Sequence, residues 1–470
     1  MTKLFRMNGL KIVLLLLDCF FIYVSFIVAY QLEYQSAIPS VEWESFRQYA
    51  PWLGLLTLLT YYFFNLYDLA GRRKPAKFLY NLILAHVVFI AEMIVLSYWL
   101  KTFSLPKTIA IIAFFIQLGL AFGLRLLIFF VQSKVIGKKK AVIFAPEADI
   151  DVSMVEKMVD KGKAWFDVQR IIIATDDMHI GDHVFDDIEV ILLGPGLTAQ
   201  LKTKLMREAG KQRIEVLLIP EFYELYLMDA ETQQIDDLLV YSVVPPHLTH
   251  LERIAKRTID VTISGILLLI ASPVMLLMFV VIPISSKGKA LFVQDRVGLY
   301  EKPFKLYKFR SMVDNAEKST GPVLASDRDP RITRLGQFIR ATRIDELPQL
   351  INVLAGDMSL VGPRPEREFF ITQFKEELPH YTYRLMVKPG LTGLAQVMAN
   401  YTTTPSDKLR YDIRYIRTYS PLLDLKILFQ TIIVVLSREQ SKGVSAAGDD
   451  SRKTKALIQK AMHEVAIAKE

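Results

Sequence analysis

Two acidic side chains stand next to each other in Arg343-Ile344-Asp345-Glu346-Leu347-Pro348, and a proline-flanked arginine follows shortly after in Gly362-Pro363-Arg364-Pro365-Glu366. An adjacent acidic pair can divide labour over a phosphate. One carboxylate attacks phosphorus, the other holds a hard cation, and an arginine clamps the phosphate oxygens in bidentate fashion. The two prolines fix φ on either side of Arg364, so its guanidinium is presented with little entropy left to lose. Taken alone, the Asp-Glu-Leu-Pro run also fits an ordinary first helical turn, where acids complement the helix dipole and Pro348 is tolerated.

The surrounding cations turn the reading toward phosphate chemistry. Phe304-Lys305-Leu306-Tyr307-Lys308-Phe309-Arg310-Ser311-Met312 alternates as a strand does, which places Lys308 and Arg310 on one side and Phe309 on the other. Two cations on one face suit a diphosphate, although solvated surface lysines give the same alternation. Arg340 and Arg343 are three apart and share a helical face, where they hold a phosphate or neutralise the acidic pair. Lys388-Pro389-Gly390-Leu391-Thr392-Gly393 is a glycine-bearing turn with a cation, either a nucleotide or phosphate contact or a plain turn between strands. Between these motifs, Leu347 to Leu354 predicts an apolar helix ended by Gly356, and Met358 to Val361 predicts a strand.

The elements that must position these groups belong to a membrane protein. Of 470 residues, 52% are hydrophobic and the mean hydropathy is +0.28, too apolar for an ordinary soluble chain. The net charge of +8 is spread along the sequence and points to an anionic lipid surface or anionic substrates; no nucleic-acid motif is present. The one cysteine, Cys19, excludes a disulfide framework. Four stretches have spanning length: about Ile12 to Tyr30, Pro51 to Tyr67, Phe78 to Leu100 and Ile109 to Val131. Lys3, Arg6 and Lys11 before the first, Arg72, Arg73, Lys74 and Lys77 after the second, and Lys134 and Lys138 to Lys140 after the fourth mark cytoplasmic sides, while Lys101 and Lys107 weaken the bias. Asp18, His86, Glu92 and Arg125 fall inside these spans and are read as structural partners of one another.

From Lys140 to Pro220 the pattern becomes short β-rich runs alternating with helices, which predicts a small parallel, Rossmann-like α/β domain. Ala145-Pro146-Glu147-Ala148 stands where a dinucleotide site needs glycines, so no bound NAD is expected. A fifth apolar segment, Val261 to Pro283, is flanked by cations at both ends, with Ser272-Pro273 at its centre. This predicts a re-entrant helical hairpin over 256–283, broken at Ser272 and Pro273. Pro421 to Leu436 is too short to span and predicts an interfacial helix. After Gly443, Leu457, Ile458, Ala461, Met462 and Val465 recur at helical spacing. The expected organisation is a four-span bundle over 1–138, an α/β domain over 139–250, a catalytic α/β domain over 251–440 and a tail helix over 441–470.

Residues 251 to 440 resemble the bacterial sugar transferase domain of the monotopic phosphoglycosyl transferases, and the whole layout resembles their large initiating subfamily, the polyprenyl-phosphate hexose-1-phosphate transferases. The resemblance is carried by Ser272-Pro273, Lys308-Phe309-Arg310-Ser311-Met312, Asp345-Glu346-Leu347-Pro348-Gln349-Leu350, Gly362-Pro363-Arg364-Pro365-Glu366 and Lys388-Pro389-Gly390-Leu391-Thr392-Gly393, all in family order. It implies an aspartyl nucleophile at Asp345, a metal-linked role for Glu346, Mg2+ as cofactor and a homodimer. Donor and acceptor are then expected to be a UDP-sugar and undecaprenyl phosphate at the cytoplasmic face of a bacterial inner membrane. Lys308, Arg310, Arg340, Arg343, Arg364 and Lys388 are the expected phosphate contacts.

Overall fold

The computed structural model describes residues 2–35, 38–68, 75–100, 106–131, 137–146, 152–163, 165–178, 184–245, 248–314, 316, 329–399, 403–437 and 454–461. Among the sequence expectations, those on Arg72 to Lys74, Lys101, Lys134, Glu147, Ala148, Gly443, Met462 and Val465 lie outside the described residues. The chain forms two compact units, Met1–Leu218 with Asp450–Glu470, and Ile219–Asp449.

The first unit opens with four helices, α1 (Thr2–Tyr34), α2 (Ser40–Phe63), α3 (Pro75–Leu100) and α4 (Lys107–Phe130). α1 packs on α2 and α4, and α3 packs on the same two, so the four close into a bundle around Ile22, Phe26, Tyr30, Phe46, Leu53 and Phe89. Polar groups in this apolar interior are paired across helices. Asp18 of α1 and Arg125 of α4 form a buried ion pair. The Tyr61 hydroxyl lies 3.3 Å from His86 and accepts from Gln117 at 3.3 Å, and Thr60 donates to Glu92 at 2.7 Å. Without water, each such group must find a protein partner.

Four described helices are long and apolar enough to cross a membrane: Lys11–Tyr34, Phe78–Leu96, Lys107–Phe130 and His250–Ser285. This is not the expected set. The stretch from Pro51 lies in α2, which ends at Phe63 and gives way to turn residues. The helical part falls short of the roughly 20 apolar residues a span needs.

After the bundle come β1 (Lys139–Pro146), α5 (Val152–Glu156), β2 (Phe166–Ala174), β3 (Val190–Leu193), α6 (Ala199–Lys211) and β4 (Glu215–Leu218). The strands form one parallel sheet in the order β2-β1-β3-β4. Val142, Phe144, Ile191 and Leu193 pack against Leu201, Leu205 and Ala209 of α6, as expected for strands that read as unbroken apolar runs. The tail contributes a short helix over 454–461, whose Thr454 donates to Asp160 at 3.0 Å.

The second unit contains α7 (Phe222–Tyr226), the hairpin β5 (Glu231–Ile235) and β6 (Leu238–Ser242), α8 (His250–Ser285), the antiparallel pair β7 (Leu291–Val297) and β8 (Pro303–Phe309), α9 (Arg334–Ala341), α10 (Gln349–Ala355), β9 (Ser359–Val361), α11 (Glu368–Glu377), β10 (Gly390–Thr392), α12 (Leu394–Met398), α13 (Pro405–Arg417) and α14 (Pro421–Ser437). It begins before the expected boundary at 250, because α7 belongs here by its contacts. Phe222 stacks on His380 with centroids 3.9 Å apart, and Arg417 pairs with Asp229 at 2.5 Å.

α8 corrects the expected hairpin: it is one uninterrupted helix with Pro273 and Pro283 inside it. Proline at 273 removes the N–H that would bond the carbonyl of Leu269. The Ser272 hydroxyl donates to that same oxygen at 2.8 Å, so the Ser-Pro pair keeps the helix hydrogen-bonded instead of dividing it. Asp260, Ser264, Leu268, Ala271, Met275, Met278 and Ile282 recur at spacings of three and four and face the unit. On the other side Leu269, Ile270, Leu276 and Ile284 are exposed.

Candidate active site

β8 and α10 build the floor of the site. Asn352, fully buried on α10, accepts from Tyr307 N at 3.1 Å and donates to Lys305 O at 2.7 Å, fixing the helix to the strand. α9 ends at Ala341, and Arg343 turns the chain with a left-handed φ of 60° into a single 3-10 turn over Ile344–Glu346. Ile344 and Leu347 pack toward Phe309 and Ile339, and Pro348 then caps α10.

The two acids end in unequal environments. Glu346 has a side chain only 13% exposed, ringed by Arg364 at 3.0 Å, Arg343 at 3.4 Å and Lys308 at 3.9 Å. Burial alone would raise its pKa, yet Arg364, Lys308 and Arg343 together hold it well below the usual carboxylate range. Asp345 has no such ring. Its Oδ1 is buried without a hydrogen-bond partner, and burial together with the charge of Glu346 pushes the carboxyl up to about 6, against Lys308, Arg340 and Arg343. Burial lowers Lys308 to about 8 even beside Glu346.

Of the expected phosphate contacts, Lys308, Arg343 and Arg364 come together on Glu346, and Arg340 acts on Asp345 through its charge. Arg340 and Arg343 do not share a helical face, since α9 stops between them. Arg310 is placed elsewhere: just past the end of β8, its backbone N–H continues the pairing with the β7 side by donating to Ala290 O at 2.8 Å. Its guanidinium instead bonds Ser286 O at 2.7 Å, Ser286 Oγ at 3.0 Å and Lys287 O, tying the end of α8 to the end of β8.

Lys388 is likewise not among the cations on Glu346. Its amine lies near Gly356 and Arg257 at the end of α10, and burial and Arg257 lower its pKa. Its motif works through backbone instead. Gly390 N donates to Pro363 O at 2.8 Å and Gly362 N to Thr392 O at 2.9 Å, and a Cβ on Gly390 would stand 2.1 Å from Gly362 N. Only glycine permits this approach, which seats the turn carrying Arg364.

Sequence reasoning missed the brace beneath that turn. Arg384 donates to Arg364 O at 3.0 Å, to Asp412 at 2.9 Å and to the Tyr381 hydroxyl at 2.6 Å. Burial raises Asp412 against the pull of Arg384. The available signal was Asp412 on the apolar side of α13, beside Leu409, Ile413 and Ile416.

The donor set suits a hard cation only in part-protein form. Among the described residues no group of three or more His, Cys, Asp or Glu side chains could hold a metal. Mg2+ commonly takes one or two carboxylates and completes its shell with substrate phosphates. The Oε2 of Glu346, which meets Arg343 only at 3.4 Å, fits that requirement as the one protein carboxylate.

Residues 251–438, from α8 to α14, match the family described as bacterial sugar transferase. A UDP-glucose:undecaprenyl-phosphate glucose-1-phosphate transferase of Caulobacter vibrioides is 40% identical over 193 residues, 40% of this chain and 71% of that protein. The chain belongs to the bacterial sugar transferase family. Two larger members are also similar. The UDP-N-acetylgalactosamine-undecaprenyl-phosphate N-acetylgalactosaminephosphotransferase of Aeromonas hydrophila is 46% identical over 185 residues, 39% of this chain and 44% of that protein. The UDP-glucose:undecaprenyl-phosphate glucose-1-phosphate transferase of Escherichia coli K12 is 35% identical over 236 residues, 49% of this chain and 50% of that protein. The matches thus span about half the length of these two relatives. Every acid and cation gathered around Asp345 and Glu346 lies inside the family region.

Proposed function

We propose that this chain moves a sugar 1-phosphate from a UDP-sugar to undecaprenyl phosphate, releasing UMP, as an initiating step of exopolysaccharide, capsule or O-antigen synthesis. The observation that carries this reading is the inequality of the acidic pair: Glu346 is clamped by three cations, while Asp345 keeps a buried oxygen with no partner. In the first step an Asp345 oxygen bonds the sugar-bearing phosphorus, and the bond to UMP breaks with its electron pair leaving on UMP. In the second, a phosphate oxygen of undecaprenyl phosphate bonds the same phosphorus and Asp345 departs as carboxylate. Lys308, Arg340, Arg343 and Arg364 neutralise the charge that gathers on the phosphoryl oxygens. Mg2+, held by Glu346 and the substrate phosphates, would add further neutralisation.

The names of the relatives supply the substrate classes, UDP-sugars and undecaprenyl phosphate. The long apolar helices support a membrane location, taken as the bacterial inner membrane, and Lys3, Arg6 and Lys11 before the first span and Lys138 to Lys140 after the fourth favour chemistry at the cytoplasmic face. α8 supports a re-entrant, non-crossing reading, since Lys256 near one end bonds Val361 O and Ile282 near the other packs by Phe309 of the same unit. The strand order of the parallel sheet supports a Rossmann-like reading of that domain. A homodimer is supported by the hairpin of β5 and β6. Both strands are edges, and Ile235, Leu238, Leu239 and Tyr241 are exposed, a state in which two strands alone are marginal. Removal of 231–242 is expected to leave monomers by mass photometry.

The test is the identity of the leaving nucleotide. With a UDP-sugar and undecaprenyl phosphate the protein is expected to release UMP. With donor alone it is expected to gain the mass of a phosphosugar on the peptide holding Asp345. Release of UDP, or substantial turnover by Asp345→Asn, would overturn the reading.

A further inference from the structure

Gln349 takes no part in the chemistry above, yet its side chain is only 4% exposed and its Nε2 has no hydrogen-bond partner. A buried donor left unpaired is costly, so its retention calls for a partner that arrives with a ligand. Its direction follows from its neighbours. Asn352, three residues on along the same face of α10, bonds Lys305 O and Tyr307 N of β8. The next residue of that strand, Lys308, reaches to 3.9 Å from Glu346. β8 therefore runs from Asn352 toward the acids, and Gln349, one turn before Asn352 on the same face of α10, stands between the two along the chain.

Four residues before Gln349 stands the other orphan at this end of α10, Asp345 Oδ1. A buried donor and a buried acceptor lie a turn apart, and neither bonds the other. One group satisfies both: a phosphoryl centre, whose phosphorus receives the carboxylate and whose non-bridging oxygen accepts a hydrogen bond. We propose that Gln349 is a further catalytic residue, its Nε2–H donating to a non-bridging oxygen of the transferred phosphoryl group while Asp345 displaces the nucleoside monophosphate. The amide keeps its proton throughout. Being neutral, it steadies the developing charge without competing with Glu346 for cations. The inference rests on the phosphoryl-transfer reading of the same site.

The test uses the 470-residue chain in nanodiscs with UDP-N-acetylgalactosamine or UDP-glucose and undecaprenyl phosphate. Gln349→Met removes the unpaired donor and keeps the volume. It is expected to melt at or above the wild-type temperature, while kcat falls about 100-fold and KM for the donor stays within about threefold. Labelling of Asp345 by donor alone should slow in proportion, and Gln349→His, which retains an N–H, should recover part of the rate. Wild-type turnover by Gln349→Met would overturn the proposal. So would a variant that melts lower or fails to fold, because the amide would then be a structural group. Wild-type protein releasing UDP instead of UMP would sink the phosphoryl-transfer reading itself. Wild-type protein releasing UMP, with Gln349→Met equally fast, would sink only the role of Gln349.

Discussion

Asp345 and Glu346 are neighbours in sequence with opposite electrostatic fates, and that contrast sets the pH behaviour of the site. On the proposed mechanism Asp345 attacks as the carboxylate, and its carboxyl is raised to about 6, so activity should fall as pH drops below that value. On the same reading Lys308 opposes the phosphoryl oxygens as the cation, and its pKa is lowered to about 8, so activity should fall again above it. A bell-shaped kcat/KM profile with limbs near those values is expected, and Lys308→Met should remove the upper limb while lowering the plateau. A profile unchanged by Lys308→Met would exclude that lysine as the source. That these residues come together was legible because it depends on local spacing: two acids in one turn, an arginine between prolines and a lysine on a strand. The placements of Arg310 and Lys388 were not legible, because they depend on how the end of α8 meets the end of β8 and on how closely two glycine turns approach, neither of which is written in the residue types.

Elements far apart in sequence decide whether Arg364 stands where Glu346 needs it. The turn that carries it is held from below by Arg384 and Asp412, both nearly fully buried. Asp412→Ala would leave the Arg384 guanidinium buried with only Tyr381 and a carbonyl. The expected loss is roughly 3–5 kcal/mol of stability, read by thermal or denaturant unfolding. Arg384→Met with Asp412→Leu should recover much of that stability yet not the activity, because the carbonyl of Arg364 loses its anchor. α8 poses a parallel question. Ser272→Ala should destabilise the helix by leaving Leu269 O unpaired, whereas in a Pro273→Ala background, where the backbone N–H returns, the same change should cost nothing. A melting cycle in detergent is expected to show a coupling of about 1 kcal/mol between the two positions. The sequence marked Ser272-Pro273 as a helix break; the serine hydroxyl, bonded back to Leu269 O in place of the missing donor, is why the helix continues.

At the scale of the whole molecule, the chemistry lies in the unit from Ile219 onward, so the course of α8 determines which side of the membrane that chemistry faces. A straight helix of 36 residues would extend about 54 Å, far more than the roughly 30 Å hydrocarbon core. α8 also cannot be wrapped in lipid, because one face packs on its own unit from Asp260 to Ile282. Lys256 is held there by Asp424 at 2.7 Å, and the far end is tied through Ser286 to Arg310. What remains for lipid is the opposite face, with Leu269, Ile270, Leu276, Leu277 and Val280 exposed. On the re-entrant reading proposed above, such a helix lies in one leaflet, apolar side toward the acyl chains, with both ends on one side of the membrane. In a Cys19→Ser background, single cysteines placed at Arg253 and Lys289 should therefore react with a membrane-impermeant maleimide together, only after the inner membrane is opened. Labelling of the two from opposite sides would make α8 a crossing helix and would put the acids on the wrong face for a cytoplasmic nucleotide donor.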